Sequence, residues 1–233
     1  MRSRWLVWAG GLAAGLLVLG LAGRSARAAE APKEGLEELK PELPLPMFRG
    51  TPKDIKLTEH MRKPSGKPRP ASMVPKGAKN AALKKAVTSS DDAPIIGELA
   101  QVTDGDKKGS DGSYVELGPG RQWVQIDLKE KFDIHVILLW HFHGEARFYH
   151  DVVVQVADDA DFITNVRTLF NNDYDNSSGL GIGKDLEYME SYEGELIPVK
   201  ETTARYLRLY SKGSTANDMN HYTEVEVYAT PAK

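Results

Sequence analysis

The chain has 233 residues, 41% of them hydrophobic, with 30 Lys and Arg against 33 Asp and Glu, a net charge of -3 and no cysteine. The lack of cysteine excludes disulfides, a thiolate nucleophile and a lipid anchor on an N-terminal Cys.

Arg2 and Arg4 precede an apolar run from Trp5 to Ala22, and residues Arg24 to Ala28 end in Ala-Arg-Ala. Charge, apolar core and small-residue cleavage site stand in the order of an export signal, so residues 1–28 are expected to be a signal peptide cut after Ala28. The run approaches bilayer-spanning length, which makes an uncleaved anchor the rival reading. Its repeated Gly and Ala and the A-x-A site favour cleavage. The expectation is an exported protein with no membrane span after cleavage.

Residues 29–79 differ in kind. Nine of the 13 prolines fall between Ala29 and Asn80, and large apolar residues are sparse and aperiodic. This predicts a disordered or extended linker with one helical turn around Glu34 to Lys40. Charge divides near its end: Ala29 to Ser90 carries 13 Lys and Arg against 7 Asp and Glu, whereas Asp91 to Lys233 carries 13 against 26. The basic linker suits contact with an anionic surface. The acidic remainder argues against nucleic acid, which would repel it.

From residue 80 to 233 the texture is all-β. Val124, Ile126 and Leu128 share one face of a period-2 run, as do Val152, Val154 and Val156, then Leu207 and Leu209, then Val225 and Val227. Ile134 to Phe142 is almost continuously apolar, as expected of a strand covered on both sides. Turn clusters separate these runs at Asp104-Gly105, Gly118-Pro119-Gly120, Asp158-Asp159 and Ser177-Ser178-Gly179. Short strands without an amphipathic helix between them predict a β-sandwich or jelly roll. About 150 residues are enough for that, since a domain of this size buries roughly 68 to 70% of its unfolded surface.

The closing runs, Arg205-Tyr-Leu-Arg-Leu-Tyr-Ser211 and Thr223-Glu-Val-Glu-Val-Tyr-Ala229, resemble the C-terminal signature of the discoidin domain, also called the coagulation factor 5/8 type C domain, in the galactose-binding-like superfold. Asn80 to Leu83 with Val87 to Ser90 resembles its opening strand, Val102 to Asp106 its acidic first loop, and Trp123 to Leu128 its W-x-x-x-D-L strand. Together these cover about residues 80 to 230. Ala157 departs from the serine usual before the Asp158-Asp159 turn, and Asn171 to Asp185 is an unusual polar insertion.

The resemblance implies a jelly-roll sandwich with a structural calcium where the first loop meets the last strand. Calcium takes six to eight oxygen ligands, and an Asp-Gly turn wraps several carbonyls around one ion. Carried over, Asp104 and Glu224 would give carboxylates, and Gln101, Asp106 and Thr223 backbone oxygens, with a further oxygen near Gly109 or Ser110. The insertion superficially resembles a calcium-binding EF-hand loop, but glycine is missing at the sixth position and Lys184 stands where the bidentate Glu belongs; Asx turns are the plainer expectation.

His141 and His143 lie two apart at the end of the apolar strand, followed by Glu145, Arg147, Tyr149, His150 and Asp151. Their H-x-H spacing to a carboxylate is narrower than that of cupins. The chain lacks G-x-S-x-G, H-E-x-x-H and a phosphate-cradling glycine loop, so no reaction is expected. The favoured reading is an exported, non-catalytic module for carbohydrate or another cell-surface ligand. Its rim combines His141, His143, Arg147 and Tyr149 with Asn217, Asp218, Asn220 and His221, groups that hydrogen-bond hydroxyls and offer a stacking face. Two alternatives stand: a metal-dependent enzyme using His141, His143 and a carboxylate, and a scaffold without a small ligand.

Overall fold

A computed structural model describes residues 35–48, 50 and 55–232. The expected signal peptide, 1–28, lies outside the described residues. The strands are β1 (Leu36–Leu39), β2 (Ser72–Pro75), β3 (Lys79–Asn80), β4 (Val87–Ser89), β5 (Val115–Leu117), β6 (Gln122–Trp140), β7 (Val153–Ala157), β8 (Arg167–Asn171), β9 (Glu195–Ser211), β10 (Asn220–Tyr222) and β11 (Glu224–Pro231), with one 3-10 turn at Leu99–Thr103.

Two long strands carry the architecture. β6 and β9 run antiparallel from Gln122↔Ser211 to Leu139↔Glu195, and the main sheet is ordered β3-β11-β6-β9-β7-β8, with β4 also on β6. Pairing lapses between Asp127 and Phe132, where Lys129 takes a φ of 77°. Asp127 holds this bend by accepting the Lys129 amide at 2.8 Å and the Arg205 guanidinium at 2.8 and 3.0 Å. The Arg205 bonds keep the Asp127 carboxyl well below the usual carboxylate range. Because the strands break here, both halves of β6 contribute to one core. Val124 and Ile126 from one half meet Ile137 and Leu139 from the other, together with Val154, Val156, Leu207, Leu209, Val225 and Val227.

The period-2 runs therefore point as their sequence implies, all ten of the named Val, Ile and Leu positions being fully buried. The continuously apolar stretch has its reason as well. Regular pairing ends at Trp140, and Val136, Leu138 and Trp140 form a second cluster on the opposite face, closed by Val74 of β2 with Leu39 and Ala78 against it.

That second cluster corrects the reading of the proline-rich segment. Leu36 to Leu39 forms a strand paired antiparallel with Ser72 to Pro75, not a helical turn; the pairing satisfies both backbones and places Val74 at 2% exposure. Burial of one such side chain contributes roughly 1.5 to 3 kcal/mol. The described residues from 55 onward to β2 run without helix and are docked on the sandwich. The Arg62 amide donates to the Glu187 carbonyl at 2.7 Å, and the Glu187 amide to the His60 carbonyl at 2.9 Å. Both guanidinium nitrogens of Arg62 reach both carboxylate oxygens of Glu195, at 2.9 and 2.7 Å.

Candidate functional site

Beyond Trp140 the chain leaves the sheet, so the alternation that would put His141 and His143 on one face no longer applies. His141 turns toward Glu190, its Nδ1 lying 2.6 Å from Oε1, and stacks on Tyr149 with ring centroids 4.3 Å apart. His143 turns the other way, and its Nε2 donates to the Lys107 carbonyl at 2.8 Å, bracing the first loop. Both are fully buried. Burial pushes His141 down to about 3 and Glu190 up to about 8, so the pair shares one proton and stays neutral overall.

His221 lies on β10, opposite Glu116 of β5. Its Nε2 is 2.8 Å from Glu116 Oε2, and its Nδ1 is 2.9 Å from the Tyr149 hydroxyl. With Glu116 as the accepting carboxylate, Nε2 carries the proton and Nδ1 accepts from Tyr149. Burial lowers His221 to about 4 despite Glu116. Arg147 lies 4.6 Å over the Phe142 ring and donates to Glu145 at 3.1 Å. Asn220 uses its whole amide: Oδ1 accepts from Ser211 and Gly213, and Nδ2 donates to the carbonyls of Gly118 and Gly120, all between 2.8 and 3.0 Å.

The structure thus brings His141, Arg147, Tyr149 and His221 together, but as the buried framework beneath the loops. Of the eight expected rim residues, Asn217 and Asp218 are exposed. His141, His143, Arg147, Tyr149, Asn220 and His221 are buried, which corrects their placement on an open rim; protein groups already occupy most of their polar atoms. Glu190 and Glu116 were not legible as their partners. They stand 49 and 105 residues away in the chain, and no local pattern marks such a pair.

His141, His143 and a carboxylate do not form a set of three metal-ligating groups. Among the described residues, the set whose ligand atoms lie within 4.8 Å of one another is Asp151, Asp173 and Asp175. The latter two belong to the polar insertion, which is stitched by Asx turns: Asn171 accepts the Asp173 amide at 2.8 Å, and Asp175 the Ser177 amide at 3.0 Å.

The expected calcium ligands converge in part. Glu224 is fully buried, and its Oε2 accepts the Gly105 amide at 3.0 Å, which brings the last strand to the Asp104-Gly105-Asp106 loop. Its Oε1 is buried without a hydrogen-bond partner. Burial, reinforced by Glu226 and Asp104, pushes the Glu224 carboxyl up to about 9. Asp104 and Asp106 each accept an amide two residues on, at 2.7 and 3.1 Å, and the Gln101 side chain is committed to the Glu98 amide and the Gly112 carbonyl. Thr223 is buried, its hydroxyl donating to the His141 carbonyl at 3.2 Å.

A cavity of about 650 Å³ lies between residues 62–70 and the loop Tyr188 to Glu195. Tyr192 on its wall is anchored from behind by Trp140, whose indole donates to the Tyr192 carbonyl at 3.0 Å. Sequence reasoning missed it, since the segment forming one wall reads as a free linker.

No protein-family model matches the chain, and no curated protein does. Solved structures do. A family 89 glycoside hydrolase from Clostridium perfringens in complex with 2-acetamido-1,2-dideoxynojirmycin matches with a TM-score of 0.50 at 14% identity, over 66% of this chain and 15% of that one. A fucose binding module from Streptococcus pneumoniae gives 0.48 at 18% identity, over 65% and 98%. The chitosan-binding module 1 of a chitosanase/glucanase from Paenibacillus sp. IK-5 gives 0.45 at 23%, over 64% and 98%. At such identities the likeness speaks for the fold alone. With the strand order above, the chain is an all-β protein of antiparallel sheets, a jelly-roll-type sandwich.

Proposed function

We propose that this protein is an exported, non-catalytic module that binds carbohydrate through the loops at one end of a calcium-stabilised sandwich. The observation carrying the reading is the arrangement at that end. Asn217 and Asp218 stand exposed on the loop between β9 and β10, over a framework in which Asn220, Tyr149 and His221 are locked by buried hydrogen bonds. A rigid base under exposed amide and carboxylate groups suits the recognition of hydroxyls, because little ordering entropy remains to be lost on binding. Similarity to a segment of a glycoside hydrolase agrees with this. Export rests on the order of charge, apolar run and Ala26-Arg27-Ala28 site. No helix among the described residues is long and apolar enough to cross a membrane.

Calcium fits the residues present. A fully buried carboxylate with one unpartnered oxygen, placed against an Asp-Gly-Asp loop, is costly without a cation and is the donor chemistry calcium takes. Asp104 and Glu224 would hold it with carboxylates, and Gln101, Asp106 and Thr223 with backbone oxygens. The ion would supply cross-linking charge between the first loop and β11.

A glycan array probed with the folded chain tests the reading. Retention of a defined set of neutral glycans, lost in an Asn217→Ala/Asp218→Ala variant of unchanged melting temperature, is the expected result. No retention of any glycan would refute it.

A further inference from the structure

We infer that the cavity walled by the proline-rich arm is a second ligand site, separate from the Asn217/Asp218 loop, and that it takes an anionic oligosaccharide; this rests on the carbohydrate reading above. The cavity is built before any ligand arrives. Backbone bonds between residues 60–62 and Glu187 fix one end of the arm, and the two-point Arg62 to Glu195 pair locks it. At the other end, Arg69 donates its guanidinium to the carbonyls of Glu193 and Gly194 at 2.9 and 3.1 Å, and its amide faces the Glu193 carboxylate at 3.2 Å.

Charge decides the class of ligand. Arg62 pairs with Glu195, and Glu193, whose carboxylate meets the Arg69 amide, offsets Arg69 in the charge count. Lys63 and Lys67 line the same cavity, are exposed, and have no ion-pair partner among the described residues. The wall thus carries two surplus positive charges. Its remaining surface is suited to sugar rings. Tyr192 supplies aromatic surface beside the buried Tyr188, whose ring centre lies 5.8 Å from Arg62, and Pro64, Pro68 and Pro70 lack the amide hydrogens with which an arm would pair to itself. The volume falls within the roughly 300 to 1,000 Å³ of small-ligand sites. A uronate or sulfated sugar satisfies both demands: its apolar ring face lies on Tyr192 and its anion meets Lys63 and Lys67. An acidic peptide meets the charge but brings no ring face at each anionic unit.

The test is calorimetric titration of the full chain with oligogalacturonate, oligomannuronate and a sulfated oligosaccharide, with methyl-esterified oligogalacturonate, inorganic phosphate and a poly-glutamate peptide as controls. At least one acidic oligosaccharide is expected to bind, and added salt should weaken it. Lys63→Gln/Lys67→Gln should weaken it about tenfold, Tyr192→Ala should also weaken it, and Asp218→Ala should leave it unchanged. The proposal is overturned if no acidic oligosaccharide binds, if the double lysine variant binds like the parent, or if phosphate or the peptide binds equally well. Neutral glycans bound through Asp218 without any acidic binding would sink this inference alone, whereas a chain that binds no glycan sinks the function it rests on.

Discussion

Glu224 on the last strand accepts the Gly105 amide of the first loop through one carboxylate oxygen and leaves the other buried without a partner. The two residues are 119 apart in the chain, so whatever satisfies that second oxygen ties the ends of the domain together.

Calcium should therefore raise the melting temperature, and chelation should lower it. At free calcium about a hundred times Kd, binding to the native state alone contributes roughly 2.7 kcal/mol. Differential scanning fluorimetry of the parent, Asp104→Ala and Glu224→Gln proteins is the check. Both variants should lose the calcium-dependent rise; a parent that melts at one temperature with calcium and with chelator would remove the ion from the account.

The His141 and Glu190 pair predicts a plateau in stability against pH. Folded Glu190 keeps its proton up to about 8, against an ordinary value of 4.5, and folded His141 stays neutral down to about 3, against 6.5. Between about pH 4.5 and 6.5, folded and unfolded chains carry the same number of protons on the pair, so its contribution is flat. Above 6.5 the folded state holds one proton more, and stability falls as pH rises toward 8. Below 4.5 it holds one fewer, and stability falls as pH drops toward 3. Urea denaturation across this range should show both limbs for the parent. Glu190→Gln should lose the upper one; an upper limb that survives would assign it to other groups.

Gly194 is the tightest backbone approach to the second cluster. It has φ +65°, and an added Cβ would lie 2.6 to 2.8 Å from the Trp140 indole. Gly194→Ala should cost about 1 to 3 kcal/mol in chemical denaturation and blue-shift or broaden Trp140 fluorescence. An unaltered midpoint would show that the loop is free to move off the indole.

The arm should come loose when its clamp is cut. In Arg62→Ala, the broad-specificity protease subtilisin should cleave within residues 62–69 faster than in the parent, with a sandwich fragment persisting. The Arg62 side chain is about half exposed, so the global midpoint should move little. Equal cleavage rates would mean the backbone bonds to Glu187 suffice.

The sandwich was legible because its cause is local. A period-2 run such as Val124, Ile126 and Leu128 has one stable way to face a core. The continuous run Ile134 to Trp140 even announced that both faces are covered. What covers the outer face was not legible, because β1 and β2 are short, lie in a proline-rich segment, and pair across 33 to 39 residues without any periodic signal. The candidate site was legible as an inventory rather than as a geometry. His141, Tyr149 and His221 do meet, but whether an imidazole faces solvent or a buried carboxylate depends on Glu190 and Glu116, which sequence spacing cannot supply. Asn220 is the sharpest instance: an Asn in a polar loop reads as a ligand group, and here its four hydrogen bonds are all internal.

The central claim is carbohydrate binding at the loop before β10, and isothermal titration of the best neutral glycan from the array tests it most directly. The parent should bind with a negative heat and 1:1 stoichiometry at that loop. Asp218→Ala, whose exposed side chain has no partner to lose among the described residues, should weaken binding by about tenfold or more with an unchanged melting temperature. Affinity equal to the parent's in both Asp218→Ala and Asn217→Ala would contradict the claim.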